Sequence, residues 1–350
     1  MIFIAALFLA VQHRFASATP LSSDGASYAA YDSETKIVSV VETSSGHVTS
    51  QLKGLSFGPY YTRFSPDGKL VAGSNMLGEV GLWEVSTGRL ILKLVDADQG
   101  HLSGVVYPLA FSSSGKRLAV GNMMRERRSR SGPTDGILSI WDTTTGQMVK
   151  EIRTDPYETV TSLVFRDHDS TVRLAGLTVK DFDARNGKKR ALTLPWMNLD
   201  KMSDDGNWAV GGGIGWLDFW DLKERQRKLH IPIKPTGDIF VSTTEAVSPG
   251  GKWILVTRSH LVRSQGGDTG YYGVQLDLIE SQTGSIRWTV PESVGATFKC
   301  FSPDGACIHL SNGEVRASDT GKILHQYADM DIVLLGEHQS MKIGHPIQKH

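Results

Sequence analysis

The sequence predicts an all-β protein: seven four-stranded antiparallel sheets closed into a ring, a seven-bladed β-propeller. Three observations carry that expectation. A Ser/Asp/Gly turn recurs seven times, a second glycine turn recurs between its copies, and the segments separating them are short β-branched and aromatic runs. No helical periodicity competes with them.

The first turn closes at Gly25, Gly68, Gly115, Asp169, Gly206, Gly251 and Gly305, reading SSDG, SPDG, SSSG, RDHD, SDDG, SPGG and SPDG. Its intervals run from 37 to 54 residues with a mean of about 47, the length of a four-stranded blade. The second turn closes at Gly46, Gly88, Gly146, Gly187, Gly284 and Gly321, and the fifth copy, around Lys223-Glu224-Arg225, lacks its glycine. Asp-Gly and Thr-Gly pairs supply a short side chain that bonds its own backbone and a residue tolerant of positive φ. Two such reversals per repeat imply four strands, here labelled a to d within each repeat.

Between the turns lie strand-like runs such as Val71-Ala72-Gly73, Val80-Gly81-Leu82-Trp83, Ile254-Leu255-Val256 and Leu276-Asp277-Leu278-Ile279. Small residues in the second strand, as in Ala72-Gly73, Ala119-Val120-Gly121 and Gly211-Gly212-Gly213, predict close approach of neighbouring sheets. The fullest copy is Gly100 to Gly146, whose runs LAF, RLAV and ILSIW precede a fourth, MVKEI.

Composition narrows the function classes. With 37 basic and 37 acidic residues in 350, the formal net charge is zero, so nucleic-acid or anionic-membrane binding driven by bulk charge is disfavoured. Apolar content of 40% with 37 glycines fits a folded chain rich in tight turns. Two cysteines, Cys300 and Cys307, are too few for a disulfide framework or a cysteine-rich zinc site. Counting back from a turn at Ser302 to Gly305 sets Cys300 opposite Cys307, at a position poorly suited to a bridge, so free thiols are expected.

The N-terminus has two readings. Residues 2–11 are an apolar run too short to span a bilayer, followed by a small-x-small site at Ala16-Ser17-Ala18. That pattern describes a secretory signal over residues 1–18 and favours export, secreted or periplasmic, over the cytoplasm. Against it, no Lys or Arg precedes the run, and Phe15 to Leu21 followed by SSDG has the shape of a first strand plus turn. The propeller is expected over 19–327, with a tail over 328–350. If residues 1–18 are removed, the run Asp331-Ile332-Val333-Leu334-Leu335 is the candidate for the missing strand.

The third copy carries Gly100-His101, Phe111-Ser112, Asp135-Gly136 and Trp141-Asp142 in the order of a known repeat, and Trp220-Asp221 and Trp83-Glu84 echo its end. Over roughly residues 15–327 the chain resembles the WD-repeat family. That resemblance implies a propeller and, for function, a non-enzymatic protein-interaction scaffold. The Gly-His pair occurs in that role once, so most copies are expected to lack the family's buried Asp-His-Ser-Trp network. QTGSIRW, from Gln282, and ASDTGKIL, from Ala317, resemble the blade ends of quinoprotein-like propellers, but without the adjacent-cysteine pair no cofactor is expected.

In an antiparallel meander the b-to-c and d-to-a connections share one face and the tight turns the other. The long connections, Met123 to Gly136 in copy three and about His260 to Tyr272 in copy six, therefore share a face, where recognition usually sits. The copy-three loop carries Arg125, Arg127, Arg128 and Arg130, whose guanidinium forks match carboxylate or phosphate geometry. A protein or peptide partner, acidic or phosphorylated, is expected; four arginines without a basic stripe are a small footprint for nucleic acid. Phe57, Tyr60, Tyr61, Tyr107, Tyr157, Trp196, Tyr271 and Tyr272 fall in the same set of connections and are read as further partner contacts.

The alternative is a metal-binding or catalytic propeller, with His101, His260, Asp96, Asp98 and Asp268 converging at the channel mouth. No HExxH, Walker loop or Cys-His metal spacing supports it. A non-enzymatic scaffold is the expectation carried forward, with no metal, no cofactor and no membrane span.

Overall fold

The computed structural model describes residues 21–31, 35, 37–56, 59, 61–75, 79–95, 108–124, 135–156, 160–176, 178–194, 199–213, 216–232, 240–263, 269–291, 294, 296, 298–302, 304–310 and 312–326. Within them the chain forms seven antiparallel sheets. Blade 1 comprises β1 (Ser27–Tyr31), β2 (Val38–Glu42) and β3 (Val48–Leu52). Blade 2 comprises β4 (Tyr61–Phe64), β5 (Leu70–Ser74), β6 (Val80–Glu84) and β7 (Leu90–Val95). Blade 3 follows with β8 (Leu109–Phe111), β9 (Arg117–Met124), β10 (Asp135–Asp142) and β11 (Met148–Pro156). Blade 4 holds β12 (Ser162–Arg166), β13 (Thr171–Ala175), β14 (Val179–Asp183) and β15 (Lys189–Leu194). Blade 5 holds β16 (Leu199–Met202), β17 (Trp208–Gly213), β18 (Trp216–Asp221) and β19 (Gln226–Pro232). Blade 6 is β20 (Phe240–Val247), β21 (Trp253–Arg263), β22 (Thr269–Glu280) and β23 (Ile286–Val290). Blade 7 is β24 (Phe298–Phe301), β25 (Cys307–Leu310), β26 (Glu314–Ala317) and β27 (Ile323–Gln326). Each is a simple meander; six have four strands, and the first has three among the described residues, with Leu21 bridging Tyr28 beside it.

Alternation along each strand sends side chains to both flanking blades, and seven separate apolar cores result. Ala29, Val40 and Trp83 fill the seam between blades 1 and 2, Leu82 and Leu118 that between 2 and 3, and Leu138 and Leu174 that between 3 and 4. Val179 and Ala209 join blades 4 and 5, Phe219 and Ile254 join 5 and 6, and Leu278 and Ile308 join 6 and 7. The seventh core, Leu21, Tyr28, Val41 and Cys300, joins blade 7 back to blade 1. Seven seams for seven sheets make a closed ring: the chain is a seven-bladed β-propeller.

The recurrent turns now have a physical cause. In the SxDG turns of blades 1, 2 and 7, the serine hydroxyl donates to the aspartate, as in Ser65 Oγ to Asp67 Oδ1 at 2.6 Å, and accepts the amide five residues on. Aspartate in turn accepts the amide two residues on, and the glycine sits at positive φ. Blade 4 makes the same reversal without serine or glycine, through Asp167, His168 and Asp169, all three at positive φ. The serine hydroxyl foremost, and the amides, hold the carboxyls of Asp24, Asp67 and Asp304 below their ordinary value of 3.8. A depressed folded-state pKa contributes stability above the unfolded value and loses it as pH falls through the folded one. Thermal midpoints are therefore expected to fall as pH drops below about 4. A midpoint flat from pH 5 to 2 would contradict these turns.

At the second turn, the glycine amide donates to the carbonyl four residues back, as in Gly88 to Glu84 at 2.8 Å. Arg225 takes this place in blade 5, at φ 57°. A left-handed conformation strains any residue with a Cβ. Arg225→Gly is expected to raise stability by about 1 kcal/mol in denaturant titration, partly offset by the freedom glycine gains when unfolded.

Small residues in the second strand do permit close approach. A Cβ on Gly121 would lie 2.7 Å from Val160 of blade 4, and one on Gly73 would lie 2.5 Å from Pro59. The cysteine register differs from the count made above. Ser302 donates its amide to the Cys307 carbonyl, extending the ladder into the turn, so Phe301 faces Ile308 and Cys300 faces His309. Cys300 is buried, Cys307 is partly so, and neither is in a disulfide.

Candidate functional site

The connections between strands b and c and between d and a leave from one end of the blades, as the meander requires. There, two blades differ from the rest. The β5–β6 ladder ends after five pairs at Ser74↔Val80. In blade 3 the β9–β10 ladder runs eight pairs, from Arg117↔Asp142 to Met124↔Asp135, and β11 follows it out to Pro156. In blade 6 the β21–β22 ladder runs eleven pairs, to Arg263↔Thr269. At about 3.4 Å per residue the excess is about 10 Å and about 20 Å. Blades 3 and 6 are three places apart in a ring of seven, so the two arms stand on opposite sides of one face.

These ladders revise several sequence expectations. Tyr271 and Tyr272 lie within β22, paired with Leu261 and His260, rather than in a connection. Met123, Met124, Asp135 and Gly136 are likewise paired strand residues, because the hairpin continues through what reads as loop. Tyr61 is the first residue of β4. Arg125, Arg127, Arg128 and Arg130 belong to the segment joining β9 to β10 and lie outside the described residues. So do Phe57, Tyr60, His101, Tyr107, Tyr157, Trp196, Asp96, Asp98 and Asp268.

The rim of this face is braced at blade 2 by Glu79, fully buried. Its carboxylate accepts from the Ser56 amide at 2.9 Å, the Ser56 hydroxyl at 3.0 Å and Asn75 Nδ2 at 2.6 Å, and pairs with Lys93 Nζ at 2.8 Å. Burial pushes this carboxyl up, but the bonds from Lys93, Asn75 and Ser56 together hold it below the ordinary range.

The three Trp-Asp or Trp-Glu positions fare differently. Trp83 is fully buried and donates Nε1 to the Lys53 carbonyl of blade 1 at 2.8 Å. Trp141, half-buried, donates to Ser139 Oγ of its own strand at 2.9 Å. Trp220 Nε1 has no acceptor among the described residues. Asp142 and Asp221 cap their own turns by accepting the amides two and three residues on.

Where blade 3 has Ser139, the same register position carries Asp218, Asp277 and Glu314 in blades 5, 6 and 7. Each is paired with a base: Asp218 with Arg227 at 3.2 Å, Asp277 with Arg258 at 2.7 Å, and Glu314 with Arg316 at 2.6 Å. Asp218 also meets His230 Nδ1 at 2.7 Å. Blade 4 has a further pair. Arg173 forks onto both oxygens of Asp181 at 2.7 Å and donates Nη1 to the Gly206 carbonyl of blade 5 at 2.6 Å, where Arg166 also donates. Charge pairs thus line the third strands of blades 4 to 7.

The central channel holds an arrangement not anticipated from the sequence. Arg63, on the innermost strand of blade 2, reaches Asp204 in the a-to-b turn of blade 5 at 2.6 Å. The partners are 141 residues apart and three blades distant, so the bond crosses the channel, at the tight-turn end. Burial lowers the Arg63 pKa, but Asp204 outweighs it and the guanidinium stays charged; burial also pushes the adjacent Tyr61 phenol up. A signal was present in SDDG: Asp205 makes the turn bonds with Ser203, which leaves Asp204 free to face the channel.

Among the described residues, no group of three or more His, Cys, Asp or Glu is disposed to hold a metal, and no helix is long and apolar enough to cross a membrane. His260 is in β21, paired with Tyr272. These features define the class as a seven-bladed β-propeller with two raised hairpins on one face. No protein-family model matches the chain, and no curated protein matches it.

Proposed function

We propose that this propeller is a non-enzymatic interaction scaffold of the WD-repeat type, which captures a protein or peptide segment on the face bearing the b-to-c and d-to-a connections. The observation that carries the reading is the pair of arms, β9–β10 and β21–β22, raised on opposite sides of that face. A rigid ring with two projecting walls offers a bounded surface without needing a catalytic group. The Arg125, Arg127, Arg128 and Arg130 set falls between the strands of the blade 3 arm, which favours an acidic or phosphorylated segment.

The test titrates a fluorescent peptide rich in glutamate and phosphoserine against the wild type and a variant with all four arginines changed to glutamate. Affinity is expected to fall at least about tenfold in the variant, and wild-type binding to weaken as salt rises, with the thermal midpoint unchanged. Equal binding by both proteins would remove the arginine segment as the site. A stoichiometric metal ion in the purified protein would instead favour the metal-binding alternative.

A further inference from the structure

The outer rim of blades 4 and 5 differs from the rest of the ring in charge. The second turn and the start of the outermost strand read RNGKKR at 185–190 in blade 4 and KERQRK at 223–228 in blade 5, with four basic residues in each. The same six places in blades 1, 2, 3, 6 and 7 read SSGHVT, STGRLI, TTGQMV, QTGSIR and DTGKIL, with one Lys or Arg at most. All the Lys and Arg side chains of the two basic segments belong to exposed residues. The segments also adjoin. At five seams a Cβ on the glycine of this turn would touch the preceding blade's outermost strand, as Gly146 would touch Leu92 and Gly284 would touch Leu229. The blade 5 turn, built the same way, stands against β15 of blade 4, and the two segments form one surface. We propose that this rim is a second docking surface, on which an acidic segment of a partner protein lies in extended form along the open edge of β19.

Three observations support it. The first is that the nearby acids are already committed. Asp183 pairs with Arg190 at 2.8 Å, Asp218 with Arg227 at 3.2 Å, and Glu224 with Lys228. Arg185, Lys188, Lys223 and Arg225 form no ion pair among the described residues, so an anionic partner would meet cations with no acid to displace.

The second is Arg225 itself. At its place the other six turns use glycine, at φ from 67° to 75°, whereas Arg225 is held at φ 57°. A strained cation kept at the middle of a basic surface points to a use for the charge. Charge on an outermost strand also deters edge-to-edge pairing. The ring does not require it for that purpose, because the other five blades expose Val48, Ile91, Met148, Ile286 and Ile323 at the same height.

The third is the kind of surface. Residues 185–190 and 223–228 include no Phe, Tyr or Trp on which the bases of a single-stranded nucleic acid could stack. What the rim does offer is backbone. β19 is the last strand of its sheet, so alternate N–H and C=O groups along it point away from β18, and only a polypeptide strand can pair with that row. This surface lies at the tight-turn end of the blades, away from the face bearing the arms, and stands independently of the reading of that face.

The test starts from the variant in which Arg125, Arg127, Arg128 and Arg130 are glutamate, so that only the rim is read. A fluorescent peptide of alternating glutamate and threonine is titrated against it, and against the same protein carrying Arg185→Ser, Lys188→Gln, Lys223→Ser and Arg225→Gly. Each of these is a residue another blade has at that place, so the ring is expected to fold as stably as before. The rim substitutions are expected to weaken binding at least about tenfold, and bound peptide to slow amide exchange across 226–231. A peptide N-methylated at alternate residues should lose most of its affinity. Absence of binding before the rim is changed, equal binding after it, or undiminished binding of the N-methylated peptide would each overturn the proposal. Tighter binding of a DNA duplex or of phosphatidylserine vesicles, lost with the same four substitutions, would overturn a protein segment as the occupant.

Discussion

Replacing Arg173 with leucine is expected to destabilise the propeller by about 3–5 kcal/mol, the range for removing one partner of a buried ion pair. Arg173 is 5% exposed, and its loss strands the Asp181 carboxylate inside the seam between blades 4 and 5. The Gly206 carbonyl keeps only the longer bond from Arg166 Nη1, at 3.3 Å. The cost arises mainly from the abandoned carboxylate rather than from a strong pair, which gives a sharp second expectation. Changing Asp181 to leucine as well should recover much of the loss, because a well-packed apolar pair often equals a buried ionic one. Urea titrations of the two single variants and the double would measure it, provided the slopes agree. A double variant less stable than Arg173→Leu alone would show that the pair itself, and not the orphaned charge, holds the seam.

Trp83→Ala is the second large effect, expected at about 3–5 kcal/mol by the same measurement. This indole is fully buried in the core between blades 1 and 2 and occupies the space that Gly73 and Gly81 leave open. A Cβ on Gly81 would lie 2.5 Å from the Trp83 ring, so the glycine and the tryptophan are one packing unit. Trp83→Phe keeps part of the volume and loses the bond to the Lys53 carbonyl, so a smaller loss follows. Trp141, half-buried and bonded within its own strand, should cost clearly less when truncated. Equal losses at the two positions would mean that burial does not rank these tryptophans.

The fold was legible because each blade repeats a local device. Ser65, Asp67 and Gly68 make a turn from bonds within six residues, and such bonds are written in the sequence wherever they occur. Even Asp167, His168 and Asp169 could be aligned by spacing alone. Features that depend on where strands stop were not legible. Tyr271 and Tyr272 read as loop because the blade 6 hairpin runs beyond the length of its neighbours, and only the ladder shows it. Cys300 was set against Cys307 because the Ser302 amide takes the last rung of the ladder, a choice composition does not announce. The Arg63–Asp204 bond joins residues that no period relates, though the spare carboxylate of SDDG marks one end. Of the expected partner contacts, Tyr61 is described with its side chain, and it packs against the core between blades 2 and 3, near Arg63.

That cross-channel bond has a mechanical consequence. A ring joined only at its seams can spring open once any one seam fails, as a hoop does when cut. Arg63 and Asp204 add a chord from blade 2 to blade 5 and divide the circle into two shorter circuits, one through blades 3 and 4 and one through blades 6, 7 and 1. Loss of the seam between blades 7 and 1 would leave blades 2 to 5 still bound in a loop. The blade 3 arm rises from the smaller circuit and the blade 6 arm from the larger, so a load that spreads the arms falls on this strut as well as on the seams.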